Sequence, residues 1–433
     1  MKVKIKDEST RSRGKFKPAP HLTAEEVKKV LLYKIEEEKS KIIEDATDYE
    51  LIQKTDYQKG KINIVSLFSG AGGLDLGTEL AGLVSVIGEK QALEAFKDKE
   101  AYIQLREKSV FHTVYTNDLF LEANETYRKN FASSIIQHQK DIRKVAHFPA
   151  NELTIGGFPC PGFSEAGPRL IDDKRNFLYI HFIRELMQTQ PAFFVAENVK
   201  GMMTLGKGEI LKQIIEDFAS AGYTVTPHLV NARDYGVPQI RERVFLVGVH
   251  KEKIEKKYGF RYRLPDATHG DANEIDLFLR APFVTLRDAI GDLEQNPGEV
   301  FEGSYSSIYM SRNRKKSWEE QSFTIQASGR QAPQHPGGEP MKKTRDKYNN
   351  VVWEFVGEKN RRLSVKEIAR IQTFPDWFEF SSGSKIGKNG KKISRNAQID
   401  KIYKQIGNAV PVLLARSIMQ PIADFFVNEY KFQ

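Results

Sequence analysis

The sequence predicts an α/β fold built on a mixed, mostly parallel sheet with helices on both faces, beside a smaller irregular domain. Two observations carry this. Short apolar runs, "KINIVSLF", "TVYTNDLF", "LTIGGFPC", "PAFFVAENV" and "RVFLVGV", alternate with helix-patterned stretches such as "EANETYRKNF" and "GEILKQIIEDFASAGY"; this is the rhythm of buried strands joined by crossover helices. From about residue 250 to 395 the alternation stops, in a stretch rich in Arg, Lys, Ser, Gly and Pro, before "YKQIGNAVPVLLARSIMQPIADFF" returns to a helical pattern. The expected parts are a charged extension over 1–60, a main domain over 61–260, a second domain over 261–395, and a C-terminal helix over 396–433 returning to the first. Leaving a domain and coming back to it creates a cleft.

Size and composition bound the rest. The 433 residues leave room for two or three domains, and 40% hydrophobic with 11% aromatic content excludes wholesale disorder. Neither a run of roughly 18 to 20 apolar residues nor a secretory leader is read from the sequence. The start, "MKVKIKDESTRSRGKFK", is basic and polar. A soluble cytoplasmic protein is expected. One cysteine excludes an internal disulfide, and no Cys/His cluster has zinc spacing, so no metal is expected. A net charge of +9 suits a polyanionic partner, but charge alone decides nothing.

In order along the chain, Thr23 with Glu26 forms a capping box, and Val27, Leu31, Lys34 and Ile35 set a helical period. This reads as a solvated or loosely docked helix. "LFSGAGG" (67–73) then hands a strand to a helix, and its glycines let the chain turn tightly and a ligand approach the helix N-terminus. Asp118 ends the next strand, 45 residues after Gly73 rather than the roughly 20 of a dinucleotide fingerprint. It suits a ribose diol or a turn equally, as Asp141 in "QKDIRK" suits a ligand or a turn. Three such strand ends suggest an adenosine-containing ligand at the carboxyl edge of the sheet.

Cys160 stands at a fourth strand end between two prolines, which present a thiol rather than bury it in a helix. A free cysteine is usually a small buried hydrophobe, but this context favours a nucleophile, with Arg169, Arg175, Arg241 and Arg243 as candidate cations that favour the thiolate. Glu197 and Asn198 of "AENV" share its sheet edge. No histidine has a comparable strand-end place, so a carboxyl acting on a nitrogen heterocycle fits better than peptide hydrolysis.

The ordered set "LFSGAGGLDLG", "GGFPCPGFS", "DDKRNFLY", "AENVKGM", "YGVPQIRERVFLVG", "RRLSVKEIARIQTFPD" and "QIGNAVP" strongly resembles the DNA cytosine-5 methyltransferases, over about residues 61 to 425. The resemblance implies a class I S-adenosylmethionine-dependent methyltransferase fold and a target-recognition region in the second domain. It implies that Phe68, Ser69, Gly70, Gly72, Gly73 and Leu74 border the methionine part of the cofactor. Asp118 and Leu119 would take the ribose and Asp141 and Ile142 the adenine, with Pro159, Leu178, Asn408, Ala409 and Val410 completing the pocket. By the same resemblance Cys160 attacks carbon 6 of a flipped-out cytosine, Glu197 bonds nitrogen 3, Arg243 contacts the base carbonyl, and Asn198 and Arg241 hold the group in place. Residues 164–175, beginning at Ser164, resemble the loop that closes over the base. Two features depart from the family pattern: the charged stretch 88–111 and the extension 1–60.

"GSYSSIYMSRNRKKSW" and "SFTIQASGRQAPQHPGGEPM" are similar to the recognition region of the HaeIII branch of the family, with Arg312, Arg314 and Arg330 matching recognition arginines there, which either read guanine or only touch phosphates. The implied site is GGCC, GGNCC or GGWCC in double-stranded DNA. The basic loop 383–395 either grips phosphates or is solvated. A cognate restriction endonuclease as functional partner and a monomeric state are expected. Two rivals share these residues: an RNA (tRNA) cytosine-5 methyltransferase, and a catalytically silent DNA-binding protein.

Overall fold

The structure is a computed structural model that describes residues 33, 40, 45–159, 178–204, 208–271, 280–387 and 390–430. The expected capping box at Thr23, and Cys160, Ser164, Arg169 and Arg175, lie outside the described residues.

Seven strands form the main sheet: β1 (Ile62–Leu67), β2 (Phe111–Asn117), β3 (Ile136–His138), β4 (Leu153–Gly156), β5 (Phe193–Val199), β6 (Tyr223–Asn231) and β7 (Glu242–His250). Their order is β3-β2-β1-β4-β5-β7-β6. β1 to β5 run parallel, and β7 lies antiparallel between β5 and β6. The expectation of a mixed, mostly parallel sheet therefore holds. Every residue of β1 is buried, so its apolar residues fall on both faces rather than alternating, with Asn63 and Ser66 as its buried polar members. The order reverses between β1 and β4, and a ligand crevice opens beyond the carboxyl ends of strands at such a point.

Helices α1 (Ala46–Ile52), α2 (Gly73–Ile87), α3 (Glu89–Phe96), α4 (Lys99–Arg106), α5 (Leu121–Asn130), α6 (Tyr179–Thr189) and α7 (Glu209–Ser220) accompany the sheet. One apolar layer joins Tyr115, Phe194 and Leu246 of the sheet to Phe182 of α6 and Phe218 of α7. The other joins Ile64, Leu153 and Val247 to Leu414, Ile418 and Phe425 from the C-terminus. The stretch 88–111 becomes α3 and α4, an added corner on α2. Arg106 pairs with Glu79 at 2.8 Å, and the Trp377 indole N–H donates to the Phe96 carbonyl at 2.9 Å. Because this corner is looped outward, β2 still pairs with β1, Leu67 opposite Asn117.

Beyond β7 come α8 (Leu286–Ile290), α9 (Ser307–Met310), a hairpin of Lys342–Arg345 with Val351–Glu354, and α10 (Val365–Ile371), and α8 and α10 contribute to a separate core that includes Leu286, Ile325, Leu363, Ile368 and Tyr403. The chain ends in two helices, α11 (Arg395–Asn408) and α12 (Val412–Asn428). α11 lends Ile399, Tyr403 and Ile406 to the second core, and α12 packs in the first. By length and composition the span Arg395–Asn428 could cross a membrane, but 67% of its apolar window is buried. The expectation that no such stretch exists needs this correction: the apolar residues serve two protein cores. α12 lies so close to α2 that a Cβ on Gly77 would come within 2.4 Å of the Ala415 Cβ.

Candidate active site

The chain leaves β1 through three left-handed residues, Phe68 (φ 54°), Gly70 (φ 54°) and Gly72 (φ 86°). Glycine removes the Cβ clash at two of these three positions, Gly70 and Gly72, while Phe68 carries it. The turn is pressed from behind, since a Cβ on Gly73 would meet the Val410 carbonyl at 2.5 Å and the Ala409 Cβ at 3.1 Å. The outer side of Gly70 is open, its nearest neighbour being the Phe68 carbonyl at 4.0 Å. The "NAVP" segment is thus the wall behind the glycine turn, with Leu74 buried beneath it, Ser69 half-buried, and Asn408 exposed at the break between α11 and α12.

Asp118 accepts the Gly70 N–H at 3.0 Å and the Phe120 N–H at 2.8 Å, which joins the ends of β1 and β2. Desolvation pushes its carboxyl above the ordinary value, only partly offset by those two N–H groups. The Asn117 amide donates to the carbonyls of His138 (2.8 Å) and Lys140 (2.9 Å) and so ties in the end of β3. There, burial acts to raise Asp141, but hydrogen bonds from Arg143 outweigh it and hold the carboxyl below its usual range. Ile142 is buried, Leu178 half-buried, and Leu119 exposed. The turn, both carboxylates and these apolar side chains share one edge of the sheet.

On the other side of β1, β4 runs into Gly157, Phe158 and Pro159, the residues that lead to Cys160. Asn198 is buried; its amide donates to the Phe158 carbonyl at 3.0 Å and its oxygen accepts the Val199 N–H at 2.8 Å. Glu197 pairs with Arg243, Oε1 to Nε 2.9 Å. The antiparallel register explains the pair: Arg243 lies opposite Val199, two residues from Glu197 on the same face. The other carboxylate oxygen, Oε2, lies 3.2 Å from where a Gly157 Cβ would stand. Glu197 therefore borders the segment 157–159 at a glycine that leaves it space. Desolvation lowers the basicity of Arg243, and the Glu197 charge opposes that.

Arg241 is placed differently. It is 1% exposed and donates to the carbonyls of Ile325 (3.1 Å), Gly407 (2.9 Å) and Ala409 (3.2 Å). It acts on the Glu197–Arg243 pair through the backbone, by fixing β7 to the second core and to the "NAVP" wall. Two residues that the sequence reading passed over join it. Gln239 donates to Gln372 at 2.9 Å and accepts the Ile325 N–H at 2.8 Å, while Gln372 donates to the carbonyls of Ile406 and Ala409. Both are fully buried. Each stands inside a quoted motif, "YGVPQIRERVFLVG" and "RRLSVKEIARIQTFPD", which was the available signal.

Among the arginines of the second region, Arg312 and Arg330 are exposed. Arg314 is half-buried, with its guanidinium 4.7 Å from the Tyr309 ring centre, donating to the Tyr309 carbonyl at 3.0 Å and to Gln331 at 3.2 Å.

A family model for C-5 cytosine-specific DNA methylases matches residues 62–424. The type II methyltransferase M.BsuRI of Bacillus subtilis is 62% identical, with 99% of this chain and 93% of that protein covered. M.BspRI of Lysinibacillus sphaericus, also a type II methyltransferase, is 57% identical over 100% and 97%. In fold, the chain is similar to an E. coli prophage-encoded protein described as a DNA modification methyltransferase (TM-score 0.52, 22% identity, 85% of this chain and 100% of that one). It is also similar to a mutant of Spodoptera frugiperda DNMT2 (TM-score 0.50, 17% identity, 84% and 100%).

Proposed function

The chain belongs to the C-5 cytosine-specific DNA methylase family, and from that premise we propose that it methylates carbon 5 of a flipped-out cytosine within GGCC, GGNCC or GGWCC. In this reading it is the modification enzyme of a bacterial restriction–modification system, working in the cytoplasm as a monomer beside a cognate endonuclease. The observation that carries the chemistry is the Glu197–Arg243 pair bordering Gly157, three residues before Cys160 in sequence, on the sheet edge that also holds the glycine turn.

The residues present fit S-adenosylmethionine. Gly70 turns an open backbone face outward, and two carboxylates, Asp118 and Asp141, end adjacent strands where a ribose diol and an adenine amino group would be met. Phe68, Ser69, Gly72, Gly73, Leu74, Leu119, Ile142, Pro159, Leu178, Asn408, Ala409 and Val410 would complete the enclosure. Bound there, S-adenosylmethionine would supply the methyl group and leave as S-adenosylhomocysteine.

The protein's own work is on the base. The Cys160 thiolate adds to carbon 6, and the displaced electron pair is drawn through the ring as Glu197 gives a hydrogen bond or proton to nitrogen 3. Arg243, held by Glu197 Oε1, donates to the base carbonyl. Asn198 grips the Phe158 carbonyl two residues before the thiol and so fixes its approach. Once carbon 5 carries the methyl group, a base takes its proton, the sulfur–carbon bond breaks, and the double bond and thiolate are restored. Flipping costs a few kcal/mol, offset by contacts in the pocket and groove. Arg312 and Arg330 are free to reach guanine edges, each worth about 1–3 kcal/mol against a wrong base, while Arg314 contributes by shaping the reading surface.

The test is to incubate the purified protein with S-adenosylmethionine and mixed-sequence plasmid, then map 5-methylcytosine at base resolution. The expected product is confined to GGCC, GGNCC or GGWCC. Cys160→Ser should lose methyl transfer by about 10⁴-fold or more while still binding S-adenosylmethionine. Methylation at unrelated sites would overturn the recognition reading, and methylation by the Ser variant would overturn Cys160 as nucleophile.

A further inference from the structure

Asp48 belongs to the charged extension 1–60, yet it is 1% exposed. Its Oδ1 accepts the Lys140 ammonium at 2.7 Å and its Oδ2 accepts the Ala146 N–H at 2.6 Å, with His138 Nε2 at 3.5 Å. Asp45, the N-cap of α1, takes a second hydrogen bond from the same Lys140. One residue on, the Tyr49 ring packs against His147, tilted by 39° with ring centres 4.0 Å apart. The two points that Asp48 holds, 140 and 146, bracket Asp141 and Ile142.

This loop has little structure of its own. A single short turn, Ile142–Lys144, is closed by Lys144 N–H to Asp141 carbonyl at 2.8 Å and Val145 N–H to Ile142 carbonyl at 3.2 Å, and one such turn does not hold itself in place. It is held from outside instead. Asn117 grips it from the sheet, Arg184 of α6 donates to the Ile142 carbonyl at 2.9 Å, and α1 closes the remaining side. A buried carboxylate is costly unless fully paired, so its placement here implies that the loop's position matters.

We propose that Asp48 is a positioning residue for the cofactor: through Lys140 and Ala146, α1 sets where Asp141 and Ile142 stand at the adenine end of the site. The inference rests on the S-adenosylmethionine reading above. It gives the extension a role in the reaction without contact with the reacting atoms.

The experiment compares wild type with Asp48→Asn and Lys140→Gln, the second of which keeps the Ala146 bond and guards against a folding failure of the first. Calorimetry gives S-adenosylmethionine affinity, and steady-state methylation of duplex DNA gives KM for each substrate and kcat. The expected result is a roughly tenfold loss of S-adenosylmethionine affinity in Asp48→Asn and a smaller loss in Lys140→Gln. At saturating S-adenosylmethionine, kcat and the KM for DNA should stay within about twofold. A drop in melting temperature with unchanged cofactor affinity would overturn the proposal, since that is what a purely structural contact does. Equal losses in cofactor affinity, DNA KM and kcat would also overturn it. If wild type itself failed to bind S-adenosylmethionine, the functional reading would fall instead.

Discussion

Arg241, just before β7, and Arg243, within it, stand two residues apart and do different work. Arg243 faces a carboxylate and keeps its guanidinium at the proposed base site. Arg241 faces three carbonyls from two distant segments, so Arg241→Met should cost on the order of 3 kcal/mol by leaving those acceptors unpaired. A lower melting temperature checks this, and a variant as stable as wild type would show that the carbonyls find other donors. Glu197→Gln tests the neighbouring group. It keeps an oxygen for Arg243 but removes the proton for nitrogen 3, so kcat should fall by about 10²- to 10⁴-fold, with cofactor affinity preserved. Single-turnover tritium transfer measures it.

At the scale of elements, contacts between helices and loops decide what can change. Gly77 on α2 has the Ala415 Cβ and the Val412 carbonyl within 2.5 Å of a Cβ position, and the carbonyl cannot turn aside. Gly77→Ala should therefore force α2 and α12 apart and cost about 1–3 kcal/mol, read as a shift in denaturant midpoint. The basic hairpin 383–395 poses an electrostatic question. It has no acidic residue between Glu379 and Asp400, and Lys385 and Lys392 are exposed. If both grip phosphates, replacing them with Ala should reduce the slope of log binding constant against log salt by about 1.8. An unchanged slope would mark the hairpin as solvated.

For the whole molecule, buried carboxyls set the response to pH. Desolvation pushes Glu185, fully buried, up to about 7, although hydrogen bonds from Thr189, Asn151 and Thr154 oppose it. Desolvation also pushes Asp75 up to about 6, opposed by Ser66 and Tyr127. Both folded values lie above the unfolded ones. Their stabilising contribution is thus complete below about pH 4 and is lost as pH rises to about 7. Glu185→Gln removes the larger share. The Thr154 hydroxyl, 3.0 Å from the Asn151 side-chain oxygen, can turn to that acceptor and receive the new amide. Melts at pH 8 should show the variant gaining up to about 3 kcal/mol over wild type, and melts at pH 5 much less. A pH-independent difference would count against titration of Glu185.

Some of this is legible in the sequence alone, and the division has a physical cause. Strands buried on both faces, the glycine turn, the proline-flanked cysteine and the Glu–Asn strand end are local features, written in consecutive residues because backbone conformation and burial pattern act locally. They were enough to determine the sheet, the family resemblance and a candidate edge. The tertiary structure alone decided what the distant partners do. It turned Arg241 toward carbonyls from residues 325, 407 and 409, paired Gln239 with Gln372, and divided the C-terminal helices between two cores. It also drew Asp48 from the extension onto a loop 92 to 98 residues away. A buried polar group must find its partner wherever the fold brings one, and no pattern of neighbours in sequence names a partner that only the packing of whole elements supplies.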